Sequence, residues 1–125
     1  MSGHRVWVPS RQDVIWIDCN PQAGNEMRDF HPFLVLSPKA FNAKTSLVVG
    51  LPMTTAEYNA DNPFAVPVGL VKNKPGATSY VLCHQPKSFD WWARGGKKHP
   101  IGKLGDSEFV EVRLIVEQIM QLTTA

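Results

Sequence analysis

Residues Gly24-Asn25-Glu26-Met27-Arg28-Asp29-Phe30-His31-Pro32 gather two carboxylates, a guanidinium and an imidazole in nine positions. Such groups accept and release protons and hold anions. Gly24 supplies unusual backbone angles and Pro32 fixes the exit, so the segment reads as a long loop between two strands. Two readings stay open: a site carried on a rigid scaffold, or a solvated loop whose charges serve solubility. Further along, Thr54 and Thr55 are neighbours in an extended stretch, so one of the two is expected to face a site. Gln85 and Lys87 share an alternation that points both to one face, where an amide reads base edges and an ammonium neutralises phosphate. Trp91, Trp92, Arg94, Lys97, Lys98 and His99 form a basic-aromatic cluster, suited to stacking bases and contacting phosphates of a single strand. One of the two tryptophans is expected in the core, with the basic turn bordering a groove. Cys19, His31, Cys83 and His84 have metal-ligand chemistry, but structural zinc takes ligands in close local pairs and only Cys83 and His84 are adjacent. No metal or other cofactor is expected.

The chain has 125 residues, which suits one domain, 1–125, with one core. Its net charge of +2 does not demand a nucleic-acid partner, but allows one if the basic residues share a face. No run approaches the roughly 20 apolar residues that cross a bilayer, and no signal peptide follows Met1-Ser2-Gly3-His4-Arg5. The two cysteines are expected as reduced thiols in a cytoplasm, with packing as their default role.

Prolines and glycines are spread along the chain and punctuate many short apolar runs, the pattern of a β-rich domain. Strands are expected at Val14 to Ile17, covered on both faces, and at Phe33 to Ser37. A short helical stretch follows from Pro38 to Lys44. Leu47 to Met53 is the third strand, with a bend or bulge at Gly50 and an edge or strand end at Pro52. Ala56 to Pro63 reads as loop, and Phe64 to Val68 as an edge strand because Pro67 has no N–H to give. Lys72 to Gly76 is a turn. Thr78 to Cys83 is a strand, and Ile101 to Leu104 the last. The spacing then predicts an amphipathic helix over Ser107 to Leu122. Asp106 is its expected N-cap, and Phe109, Val112, Val116, Ile119 and Leu122 form its buried face. Burying those five side chains would contribute on the order of 10 kcal/mol before entropy is counted.

Several of these motifs, in this order, resemble one family. Val14-Ile15-Trp16-Ile17-Asp18 with Pro21-Gln22-Ala23-Gly24-Asn25-Glu26 is similar to the opening of the MazF/PemK/Kid toxins. So are Pro32-Phe33-Leu34-Val35-Leu36-Ser37-Pro38, Phe41 to Thr45, Pro52-Met53-Thr54-Thr55, and Gln85-Pro86-Lys87-Ser88 with Trp91 and Arg94. The resemblance runs from about Val14 to the C-terminal helix. It implies a mainly β, α+β fold: an SH3-like β-barrel with short helices and a C-terminal amphipathic helix, usually a homodimer. It also implies a toxin of a toxin–antitoxin pair, a sequence-specific, metal-independent endoribonuclease cutting single-stranded RNA. The cognate antitoxin would block it with an extended, acidic, partly disordered tail.

The resemblance further implies roles. Glu26 matches the family's catalytic carboxylate and is the first choice for general base. Thr54 matches the threonine that hydrogen-bonds near the scissile phosphate. His31 stands where the family usually has a catalytic arginine, and two outcomes are open: His31 carries proton transfer, or Arg28 supplies the positive charge. RNA contacts are expected from Arg28, Thr55, Gln85, Lys87, Trp91, Arg94, Lys97 and Lys98. His84, Pro86 and Trp92 also depart from the family pattern. Two other readings of the same fold remain: a non-enzymatic gyrase poison and an RNA-binding barrel without catalysis. The ending Leu122-Thr123-Thr124-Ala125 lacks the tryptophan expected of the gyrase poison.

Overall fold

The unbroken apolar run at Val14 to Ile17 has to be covered on both faces, and it is. In the computed structural model, which describes residues 7–19, 29–69 and 78–122, it forms β1 (Asp13–Asp18). Val14 belongs to one buried cluster with Leu34, Leu51, Met53, Val81 and Leu104. Its neighbours Ile15 and Ile17 belong to another with Phe33, Val35, Val48 and Trp91. This is the period-2 alternation of a strand, here with apolar residues on both sides.

The remaining elements are β2 (Phe30–Val35), α1 (Lys39–Thr45), β3 (Leu47–Thr54), a 3-10 turn (Glu57–Asp61), β4 (Ala65–Val68), β5 (Ser79–Leu82), β6 (Lys87–Asp90), β7 (Lys97–Lys103) and α2 (Asp106–Met120). All strand pairs are antiparallel, in the order β4-β5-β3-β2-β1-β7, with β6 also on β3. The sheet curls into a half-barrel, with α2 on one of its faces, as the family resemblance implies.

Several expectations need correction. β2 starts at Phe30, so His31 and Pro32 are strand rather than loop. Proline is tolerated there because the β2–β3 ladder begins only at Phe33. β3 is the central strand, so Pro52 is not at an edge. It sits where β3 changes partner, between residues 47–50 on β6 and 53–54 on β5. Gly50 marks a close approach: a Cβ there would lie 2.0 Å from the Leu34 carbonyl oxygen. β6 is not apparent in the sequence because Phe89 is its one apolar residue. β7 begins four residues before the expected Ile101; it is an edge strand, which admits its lysines and Pro100.

The last helix also differs. Gly105, not Asp106, is the N-cap, and no side chain caps it. Asp106 Oδ1 instead accepts from Gln12 Nε2 at 2.8 Å, tying α2 to the start of β1. Of the five residues expected on the buried face, Val112 alone is buried; Phe109 and Val116, with Ile115, pack in part, while Ile119 and Leu122 are exposed. Its contribution is therefore nearer roughly 5 kcal/mol. The expected turn at Lys72 to Gly76 lies outside the described residues.

Candidate active site

The groove originates in a split of the sheet. β2 and β3 pair through Val35↔Gly50, Leu34↔Leu51 and Phe33↔Pro52, and there the ladder stops. Beyond it β2 stays with β1, as Trp16↔Pro32, Ile17↔His31 and Asp18↔Phe30. β3 turns to β5, as Met53↔Val81 and Thr54↔Tyr80. Pro32 stands at the parting, and it has no N–H with which to extend the ladder to Met53. Continuing the register would set Pro32 against Met53, His31 against Thr54 and Phe30 against Thr55. These six residues, with Trp16 and Ser79, line an open pocket of about 250 Å³.

His31 and Thr54 are thus brought to one pocket from two strands. Thr54 Oγ1 accepts from the Ala56 N–H at 3.2 Å, which leaves its own hydroxyl hydrogen to donate. Thr55 lines the pocket as well, against the expectation that one threonine of the two would; β3 ends at Thr54, so strand alternation does not extend to Thr55.

His31 Nε2 lies 2.8 Å from Asp29 Oδ1, and both side chains are about half exposed. Asp29 is itself held from behind. Its N–H donates to Oδ1 of the buried Asp18 at 3.0 Å, and its carbonyl accepts from the Cys19 N–H at 2.8 Å. Arg94 closes the arrangement: Asp18 N–H donates to the Arg94 carbonyl at 3.2 Å, and Arg94 Nη1 to the Asp18 carbonyl at 3.1 Å. Sequence reasoning gives Asp29 no role; its place two residues before His31 was the available signal.

The cationic residues separate. Lys97 sits opposite Trp16 in the β1–β7 ladder, with Nζ 5.1 Å from the Phe30 ring centroid, so its charge borders the groove. Lys98 lines a second pocket with His99, Lys103 and Trp7 instead. Arg94 is half-buried, its guanidinium 5.1 Å from the Phe89 ring and engaged with Asp18, so it is a structural tie. Trp91 requires the plainest correction. It is 2% exposed and its Nε1 donates to the Asn42 carbonyl at 2.9 Å, so it is core and offers no stacking face. Trp92 is the exposed tryptophan of the pair. Gln85 is in the turn after β5 and Lys87 starts β6; both are exposed and neither lines the groove, so one strand alternation does not govern both. Glu26 and Arg28 lie outside the described residues.

Trp16, Phe30, Met53 and Ser79 line the groove without having been expected there. Trp16 is hidden in an apolar run, although its indole N–H among aliphatic side chains was a cue. Both thiols are poor nucleophiles: burial pushes Cys83 up to about 11, and burial with the charges of Asp29 and Asp18 does the same to Cys19. Among the described residues no three His, Cys, Asp or Glu side chains gather as a metal site would need.

The groove therefore offers an imidazole set against a carboxylate, hydroxyl donors facing it and an ammonium at its rim. Comparison with known proteins gives the family. The family model for PemK-like, MazF-like toxins of type II toxin–antitoxin systems matches residues 10–120. The endoribonuclease toxin MazF of Escherichia coli K12 is 36% identical over 92 residues, covering 74% of this chain and 78% of that protein. Escherichia coli endoribonuclease PemK is 35% identical over 104 residues, covering 76% of this chain and 74% of that one. The crystal structure of MazF from Deinococcus radiodurans superposes with a TM-score of 0.73 at 28% identity, over 93% of this chain and 99% of that chain. A MazE–MazF complex from the same organism superposes at 0.72 and 28% identity, over 92% and 98%. With a matching model across most of its length and relatives above one-third identity, the chain belongs to the PemK-like, MazF-like toxins of type II toxin–antitoxin systems.

Proposed function

We propose that this toxin cuts single-stranded RNA in the β2–β3 groove by attack of a ribose 2′-OH on the adjacent phosphorus. The P–O2′ bond forms and the P–O5′ bond breaks, leaving a 2′,3′-cyclic phosphate and a 5′-hydroxyl. The nucleophile is internal to the substrate, so the protein has three tasks: remove the 2′ proton, protonate the 5′ oxygen and stabilise charge on the phosphorane. Glu26 is the general base; an unperturbed glutamate is ionised at neutral pH. Glu26 is three residues along the chain from Asp29, a reach of up to about 10 Å.

The Asp29–His31 contact carries the reading of the acid. A carboxylate on Nε2 fixes that nitrogen as N–H and leaves Nδ1 to exchange a proton with substrate. His31 then delivers the proton to the departing 5′ oxygen, across the groove from Thr54, whose hydroxyl donates to a phosphoryl oxygen. Arg28 and Lys97 neutralise phosphate. Gln85, Lys87 and Thr55 serve the strand beyond the cut. That the curated relatives are endoribonucleases supports the activity, and the solved MazE–MazF complex supports an antitoxin partner whose acidic tail competes for the same groove. We place the single-domain toxin in the cytoplasm as a homodimer. Its cysteines are free and, among the described residues, no helix is long and apolar enough to cross a membrane.

The test is incubation of the purified chain with RNA in EDTA, followed by analysis of both new ends. Cyclic-phosphate and 5′-hydroxyl termini are expected, with cutting abolished in Glu26→Ala while its far-UV spectrum is unchanged. RNA bound but never cut would overturn the nuclease reading, and full activity in Glu26→Ala would remove that residue from the chemistry.

A further inference from the structure

Resting on the nuclease reading, we propose that Trp16 is a base-stacking platform of the RNA groove and that buried His99 is the positioning residue that holds it there. Trp16 lines the groove and is only partly buried. Its cross-strand neighbours are Pro32 on β2 and Lys97 on β7, so an apolar wall stands on one side and a cationic rim on the other. With Phe30 and Met53 also in the lining, the groove is apolar where Trp16 stands and polar at His31 and the two threonines. A nucleobase has a flat apolar face and a charged phosphate on its ribose, and that division of surface suits it.

His99 explains how the indole is kept in place. The ring is 5% exposed, and its centroid lies 4.6 Å from that of Trp16 with the planes 33° apart. It reaches that position through an irregularity in β7. Asp13 pairs with Lys103 and Ile15 with Lys98, so Val14 alone stands opposite four residues, His99 to Gly102. Gly102 adopts φ +76°, which glycine accepts without strain. The His99 ring is fixed in turn, because Nδ1 accepts from the Ile101 N–H at 3.1 Å. An edge strand thus folds an imidazole under the indole, and the rest of the indole is left to the groove.

The experiment uses the full-length protein and an RNA spanning the site it cuts, mapped by sequencing the new 5′ ends. A set of the same RNA carries one abasic residue at a time. Removing one base–aromatic stack costs roughly tenfold in binding. Trp16→Ala is expected to raise KM by about that factor with little change in kcat, and Trp16→Phe to restore most of it. For wild type, one abasic position should give a similar loss; for Trp16→Ala, that position should cost nothing further. His99→Leu should reproduce part of the KM rise at unchanged far-UV signal, and His99→Phe, which keeps a ring beneath the indole, should recover it. The proposal is overturned if every abasic position costs Trp16→Ala as much as wild type, or if His99→Leu has wild-type KM. If wild type cuts no RNA, the nuclease reading fails instead, and that outcome is distinct from both.

Discussion

Replacing Trp91 by alanine tests whether its indole belongs to the core or to the RNA surface. The side chain is 2% exposed and packs with Ile15, Ile17, Phe33, Val35 and Val48, with Trp7 edge-on at 5.8 Å. Truncating a buried tryptophan costs about 3–5 kcal/mol, from lost transfer energy and the cavity left behind. Since small domains hold about 5–15 kcal/mol in total, Trp91→Ala should lose roughly a fifth of its stability or more. At about 4 °C per kcal/mol for a chain of this size, the melting temperature should fall by roughly 12–20 °C. Trp91→Phe keeps an aromatic ring but loses the Nε1 donor. The Asn42 carbonyl still accepts from the Ser46 N–H at 3.1 Å, so that variant should cost only about 1–2 kcal/mol. Trp92 is 62% exposed, and Trp92→Ala should stay within about 0.5 kcal/mol of wild type. Urea unfolding followed by far-UV circular dichroism measures all three. RNA affinity, measured at a temperature where each variant is folded, should be unchanged in Trp91→Ala. A variant with wild-type stability and lost RNA affinity would refute the assignment of Trp91 to the core.

Gly50→Ala places a methyl group 2.0 Å from a backbone oxygen, which cannot swing aside, so β2 and β3 must separate. Loss of at least about 3 kcal/mol is expected in urea titrations. His31→Arg keeps a donor for Asp29 but removes the imidazole proposed to pass a proton to the 5′ oxygen, so kcat should drop by about 10²-fold; undiminished kcat would assign position 31 a purely electrostatic role. Lys97→Ala should lower the slope of log affinity against log salt by about 0.7 for single-stranded RNA, the change expected when one phosphate is no longer neutralised by the protein. Above pH 9 the unfolded chain releases the Cys83 proton while the folded chain retains it up to about 11. Folding stability should therefore fall as pH rises through that window, and fall less in Cys83→Ala.

Strand positions are legible where apolar content is dense: β1, β3, β4 and β5 all lie close to where their residues suggest. β6 and β7 are not, because both draw on tertiary pairing more than on composition. Lys87–Asp90 is a strand by virtue of lying along Leu47 to Gly50, and Lys97–Lys103 by lying along β1. The buried face of α2 is smaller than its pattern suggests for a related reason. Helical spacing shows which residues share a stripe, but the extent of the surface beneath decides how many are covered, and Ile119 and Leu122 extend past it. In the site, His31, Thr54 and Thr55 can be read from their types, whereas Asp29 and Trp16 cannot. The ring that stands against Trp16 comes from His99, 83 residues away.

The position of the groove follows from Pro32. A strand pair lengthens wherever both backbones can donate and accept, and the β2–β3 register would otherwise bring His31 alongside Thr54 and close the gap. Pro32 removes the donor that would have continued that ladder to Met53, and each strand then has another partner to satisfy it, β1 for β2 and β5 for β3. The side chains that sheet pairing would have buried are left facing one another across open space. A groove made this way is lined, Thr55 apart, by strand residues held by a ladder on their far side, and is therefore stiffer than one made of loops. That rigidity suits the proton transfer proposed for His31, because the distance between an acid and its leaving oxygen must be set before substrate arrives. Glu26 lies on the stretch of sequence between Cys19 and Asp29, whose two described ends are fastened to each other and to Asp18. The chain thus anchors the base of that stretch beside the groove while building the opposite wall from sheet.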